Sequence, residues 1–260
     1  MDRDAKYCSA FNMDFSETVA YNNPLFPVYV RHGILSTYPN YSAISHWHED
    51  LEFILVKKGE MTYNVNGELI ALSENTGIMV NSRQLHYGFS EEHNECEFLC
   101  ILFSPELLQG NKWFYQSCIE YIVRNSRYPY LVLGKDGWQG AILEKLESLY
   151  EDYAADKEEA LCGFRAMENF LSVMEILYGR LHEDRRLPVK ENGELSALRN
   201  MMAYMEEHFA QPIALSDIAL AGACCKSRCS MLFRKYLRDT PVAYMTKMRL
   251  KKSLSALLYS

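Results

Sequence analysis

The chain has 260 residues, 48% of them apolar and 23% charged, with a formal charge of −7. This is a globular composition with enough length for two cores, and it excludes a disordered or low-complexity chain. No apolar run reaches the ~20 residues that cross a bilayer. The start, Met1-Asp2-Arg3-Asp4-Ala5-Lys6, has neither the basic nor the apolar region of a secretion signal, so a cytoplasmic protein with no membrane partner is expected. The eight cysteines, Cys8, Cys96, Cys100, Cys118, Cys162, Cys224, Cys225 and Cys229, form no CxxC pair of the kind a zinc ribbon or redox motif needs. They are expected to be reduced and mostly packed.

The charge is unevenly placed. Residues 194–260 hold ten Lys/Arg and five Asp/Glu, about +5, whereas residues 1–193 hold 17 and 29, about −12. An acidic front and a basic back fit a protein of which only the back meets nucleic acid.

From Pro27 to Phe103 short apolar runs alternate with turns. Residues 28–30 and 51–56 are two such runs. Residues 61–65 and 68–72 flank Asn66-Gly67, a pair suited to the positive φ angles of a type I′ hairpin. Residues 76–80, 85–89 and 97–103 continue the series, and this spacing predicts a small barrel or sandwich. His46 and His48 share one face of an extended segment by its period of two, the face taken as the interior.

After Pro105 the period changes. Trp138, Ile142, Leu146, Leu149 and Tyr153 fall three or four apart, as do Leu161, Phe164, Met167, Leu171, Met174, Leu177 or Tyr178, and Leu181. Both series predict amphipathic helices. Such helices either cover the barrel or, in the second case, form a dimer seam. Residues 183–193 are polar, contain Pro188 and Gly193, and read as a linker.

In the last 67 residues a helix is expected from about 195 to 209. Ser216 is the expected N-cap of a second helix, with Ile218, Ala219 and Cys224 facing the core and Gly222-Ala223 in a tight turn. A third helix, about 226–237, puts Cys229, Leu232, Phe233 and Tyr236 on one face. Lys226, Ser227, Arg228, Ser230, Met231 and Lys235 remain for the other, a basic and hydroxylated front that the major groove accepts.

Residues 213–236 resemble the AraC/XylS family of transcription regulators. The motif is I-x-L-x-D-I-A, followed by S-x-L-F-R-K-Y over residues 230–236, and it extends through Thr240-Pro241-Val242-Ala243-Tyr244 and Met248-Arg249-Leu250. The resemblance implies double-stranded DNA as a partner, pairwise action as a homodimer, and a linker helix over residues 245–258. Cys225 departs from it, standing where the family commonly has a capping Ser. The family's second helix-turn-helix would follow Tyr259-Ser260, so only the first unit is expected in this chain.

His46-Trp47-His48-Glu49-Asp50-Leu51-Glu52, followed by Gly59, resembles the first cupin motif, and His86 fits the histidine of the second. Asn40 replaces the first motif's opening glycine, and Arg83 stands at the second motif's proline. The resemblance implies either a metal-dependent cupin enzyme, with Zn, Fe, Mn or Ni on His46, His48, Glu52 and His86, or a sensor that binds a small molecule without requiring a cofactor. The departures favour the sensor. Imidazoles would then bond hydroxyls, and Trp47 and Tyr63 would stack on the apolar face of a ligand such as a sugar.

The expected protein is therefore multidomain α+β. Residues 1–104 are an all-β cupin barrel with an N-terminal arm, 105–182 a helical dimerisation segment, 183–193 a linker, and 194–260 an all-α helix-turn-helix domain. Its expected function is ligand-responsive transcription regulation without catalysis. A cupin enzyme with a vestigial DNA-binding domain, and a truncated regulator acting through a full-length partner, remain as alternatives.

Overall fold

The computed structural model describes residues 10–11, 16–125, 127–155, 159–183, 193–237, 239–246 and 248–249. The chain divides into two compact units, one built on residues 17–189 and one on residues 190–260. Their boundary falls within the expected linker, of which residues 184–192 lie outside the described residues.

The main sheet of the first unit has seven antiparallel strands: β1 (Val28–Ile34), β2 (Leu51–Val65), β3 (Glu68–Ser73), β4 (Gly77–Val80), β5 (His86–Phe89), β6 (Cys96–Phe103) and β7 (Tyr130–Leu133). The order is β1-β6-β2-β4-β7, with β3 and β5 also on β2. Two strands were expected at 51–56 and 61–65, and they are one bent strand of 15 residues. Its first half pairs with β4 and β6, its second with β3 and β5. The bend lies at Gly59, where φ is 79° and the register with β6 shifts between Val56 and Lys58. A Cβ at Gly59 would stand 2.1 Å from the Glu95 carbonyl oxygen, so both conformation and space demand glycine. Asn66 and Gly67 both have positive φ, 53° and 85°, as the hairpin reading requires.

Strand alternation separates two faces. Leu51, Phe53 and Leu55 of β2, Val28 and Val30 of β1, and Leu99, Ile101 and Phe103 of β6 form one core with two helices, α1 (Gly137–Ala154) and α2 (Glu159–Glu183). Glu52, Ile54 and Val56 point to the other face, where Ile54, Val56, Ile78, Val80 and Phe98 line the barrel interior. Of the two alternatives for these helices, covering the barrel is seen: α1 and α2 pack on the sheet within the same unit. The stripe on α2 divides. Met174, Leu177 and Leu181 are buried, while Leu161, Phe164 and Leu171 are exposed, Phe164 by 78%. The buried face is completed by Ala166, Phe170 and Val173.

In the second unit α3 (Gly193–Glu207), α4 (Leu215–Ala221) and α5 (Lys226–Leu237) enclose a core of Leu198, Met201, Ile218, Ala219, Leu232 and Phe233. Ser216 does not cap α4. The helix starts at Leu215, and Asp217 accepts from the Ala214 N–H at 2.9 Å, fixing the turn from inside the helix. Thr240 caps the following helical residues, 241–246, by accepting from the Ala243 N–H at 3.1 Å. Tyr244 is buried edge-on to Phe233, with ring centroids 5.3 Å apart. Arg249 donates to the carbonyls of Phe209 and Gln211 at 2.8 and 2.6 Å. These contacts explain why the T-P-x-x-Y and Met-Arg-Leu segments carry signal. Most of the expected linker helix lies outside the described residues.

Between α4 and α5, a Cβ at Gly222 would meet Met201 Cγ at 2.6 Å. Ala223 adopts φ 49°, a left-handed conformation that costs an L-residue about 1 kcal/mol. Ala223→Gly should therefore stabilise the helical unit by about 0.5–1 kcal/mol, and Gly222→Ala should weaken it. Denaturant midpoints of that unit's transition check both, and a lower midpoint for Ala223→Gly would contradict the assigned turn.

Candidate functional site

Three segments deliver one buried centre. His46 and His48 lie on the extended segment before β2, Glu52 on β2, and His86 at the start of β5. His46 and His86 are locked side by side by reciprocal backbone bonds of 3.1 and 2.8 Å. Their rings are 4.4 Å apart, and the His48 ring is 4.9 Å from that of His86. One ligand atom from each of His46, His48, Glu52 and His86 falls within 4.8 Å of all the others, and all four residues are buried.

The ring orientations are set from behind. Nδ1 of His46, His48 and His86 faces the carbonyl oxygens of Ile44, Asp50 and Gln84 at 2.7, 3.2 and 2.8 Å. A carbonyl only accepts, so each Nδ1 carries the proton and each Nε2 is turned to the centre. Nε2 of His48 lies 3.4 Å from Glu52 Oε2. Nε2 of His86 is equally near but has no hydrogen-bond partner. The Tyr63 hydroxyl donates to the other Glu52 oxygen.

Burial pushes the His46 pKa down to about 3, aided by the charge of His86. It acts the same way on His48, but the hydrogen bond and charge of Glu52 outweigh it and raise that group. Burial would raise Glu52, yet the charge of His86 and the bond from His48 hold it well below the ordinary value. Tyr63 is pushed well up by burial and by the neighbouring carboxylate.

The centre contains the four residues expected as ligands, together with Tyr63. Trp47 is only half-buried, and its carbonyl accepts from the Glu17 N–H at 2.8 Å. Glu17 itself was not anticipated. Its carboxylate lies 3.2 Å from His46 Nε2, a contact between distant segments that no local pattern encodes. Tyr21, whose hydroxyl donates to the buried Asp50 at 2.8 Å, was equally silent. Tyr29 and Glu52 share a cross-strand row through Leu102, which adds another interior-facing hydroxyl.

On α5, Cys229, Leu232, Phe233 and Tyr236 are fully buried. Lys226, Ser227, Arg228, Met231 and Lys235 are exposed and Ser230 half-buried, so the two faces divide as the spacing predicts. Two of these cations have a partner that was not foreseen, since Lys235 bonds Glu194 at 2.8 Å and Arg228 stands 4.0 Å from it.

The family model of the AraC-like ligand binding domain matches residues 29–118. The chain is 28% identical over 215 residues to the HTH-type transcriptional regulator YdeC of Bacillus subtilis, covering 80% of this chain and 71% of that protein. Among solved structures it resembles the AraC-like transcriptional activator CuxR, with TM-score 0.36 and 8% identity over 87% of this chain and 73% of the other. It also resembles the polyketide cyclase RemF from Streptomyces resistomycificus, with TM-score 0.27 and 21% identity over 29% of this chain, and spans 53% of the length of RemF.

The buried His46 ring makes a pH prediction. Its folded pKa, about 3, lies below the ordinary 6.5, so between those values the unfolded chain takes a proton that the folded chain refuses. The resulting stability is complete above pH 6.5 and is lost as pH falls towards 3. By pH 5 the wild type should have lost about 2 kcal/mol more than His46→Gln has. Parallel unfolding curves for the two proteins between pH 7 and 5 would contradict this.

Proposed function

We propose that the chain is an AraC-like, ligand-responsive transcription regulator, that the imidazole–carboxylate centre is its effector site, and that this centre seats a divalent metal. The observation that carries this is that one ligand atom from each of His46, His48, Glu52 and His86 lies within 4.8 Å of the other three, each ring held by a carbonyl behind it. Nitrogen donors with a hydrogen-bonded outer shell and one oxygen suit Zn, Mn, Ni or Fe. The His86 Nε2, which has no hydrogen-bond partner, fits the role of a metal ligand. A bound ion would supply positive charge and open positions for an effector's hydroxyl or carboxylate. Tyr63 and Tyr29 would orient that effector, and a sugar or sugar acid matches this lining. No reaction is assigned to the centre: its task is binding, in the cytoplasm where the DNA is.

The helix-turn-helix would place α5 in the major groove, with Arg228 near its start reading guanine and Lys226 and Lys235 on phosphates. Ser227, Ser230 and Met231 complete that face. The exposed Leu161, Phe164 and Leu171 of α2 recur at helical spacing, opposite the face spent on the sheet, and fit a homodimer seam. An effector that binds two arrangements of the regulator unequally shifts its affinity for DNA.

Two experiments test this reading. Melting the metal-treated protein with a panel of sugars and sugar acids should reveal a stabilising compound, worth about 2.7 kcal/mol at a hundredfold excess over its Kd. The same compound should change DNA binding, and both effects should vanish in His86→Ala. A complete panel without a shift contradicts the effector reading. Phe164→Glu should give folded monomers in analytical ultracentrifugation. A variant that stays dimeric removes α2 from the interface.

A further inference from the structure

Lys235 and Arg228 sit two turns apart on α5 and share one carboxylate. Glu194, in the first turn of α3, accepts from Lys235 Nζ at 2.8 Å and from the Tyr236 hydroxyl at 3.0 Å. Arg228 Nη2 stands 4.0 Å from its other oxygen. The side chains of Lys235 and Arg228 remain 47% and 55% exposed, and that of Glu194 29%. Ion pairs so open to water add little to stability. Tyr236 is held independently, its ring buried in the core of the unit. A purely structural purpose for the carboxylate is therefore weakly supported.

Its effect on a polyanion is another matter. Lys235 and Arg228 belong to the exposed face of the helix proposed to dock on DNA. A carboxylate oxygen here fills the position a phosphate oxygen would take, with the same charge and the same donors. The hydrogen bonds from Lys235 and Tyr236, together with the nearby cations, hold the Glu194 pKa below its ordinary value, so the competing charge is present at neutral pH. Glu194 also lies one residue after Gly193, the start of α3, where the chain enters the helical unit. First turns of helices open at low cost. Opening this one would free Lys235 and Arg228 without unfolding α5.

We infer that Glu194 is an intramolecular competitor for DNA: it occupies Lys235, a phosphate contact, stands beside Arg228, and sets the affinity of the regulator below what α5 alone would give. This rests on the reading of α5 as the DNA-facing helix. While Lys235 is paired with Glu194 it neutralises no phosphate. Removing the carboxylate should add about one phosphate contact.

The experiment is a salt series of fluorescence anisotropy with the full chain and a labelled duplex of random sequence. Glu194→Gln should bind about threefold to tenfold more tightly at low salt. The slope of log K against log salt should steepen by about one. In a Lys235→Ala background the gain should fall below about twofold, because the released partner is gone. Glu207→Gln, which removes the same charge at the other end of α3, should gain clearly less than Glu194→Gln. Unchanged or weaker binding by both Glu194→Gln and Glu194→Asp, with melting curves showing folded protein, overturns the inference, as does an undiminished gain in the Lys235→Ala background. If Lys226→Ala, Arg228→Ala and Lys235→Ala all leave affinity unaltered, the docking of α5 fails as well. If those three weaken binding while Glu194→Gln does nothing, only the competitor role fails.

Discussion

A carboxylate buried among three imidazoles governs the first unit. Glu52 is 3% exposed, and a charged group taken so far from water costs several kcal/mol unless its partners are in place. Those partners arrive from elsewhere: His46 and His48 from the segment before β2, His86 from β5. Barrel register is thereby coupled to charge. Slipping β2 by one residue would move Glu52 into the apolar layer beneath the helices and expose Phe53 to the interior. The carbonyls behind each ring extend the same constraint, because they fix which nitrogen faces the centre. Binding chemistry and fold specificity rest on one set of contacts.

Much of this was legible in the amino-acid order, for identifiable reasons. The period of two placed His46 and His48 on one side, and the motif spacing brought in Glu52 and His86. The glycine of that motif, Gly59, has a mechanical role at the bend of β2, which explains why two apolar runs belong to one strand. β7 was missed because Tyr130-Leu131-Val132-Leu133 is a short apolar run within a helical stretch, where period alone does not separate strand from helix. The α2 stripe was read as one face although it is two. Phe170 and Val173 define the buried side, while Phe164 and Leu171 project outwards. Glu17 and Glu194 left no local trace, since each acts through a contact between segments far apart in the chain.

In the proposed regulator the two units divide the work. One concentrates acidic charge and buries a polar centre; the other carries the basic surplus, of which Lys226, Arg228, Arg234 and Lys235 are exposed on α5. Neither property needs the other for folding, as each unit has its own apolar core. Coupling between them is a free-energy difference, and it exists only where effector and DNA favour different states of the same chain. The helical unit carries its own restraint in Glu194. DNA affinity is then a balance within the unit as well as a response to the barrel.

Metal titration of the purified full chain tests the centre most directly. Cobalt(II) is the suitable probe, because its visible spectrum and X-ray absorption report the ligands. The account predicts one equivalent per chain, bound by three nitrogens and an oxygen at about 2.0–2.2 Å, with release of protons as imidazoles give way to the ion. Glu52→Gln should weaken that binding and His86→Ala should abolish the spectrum. Absence of stoichiometric cobalt, or an ion held with a spectrum indifferent to both substitutions, would contradict the assignment of this centre.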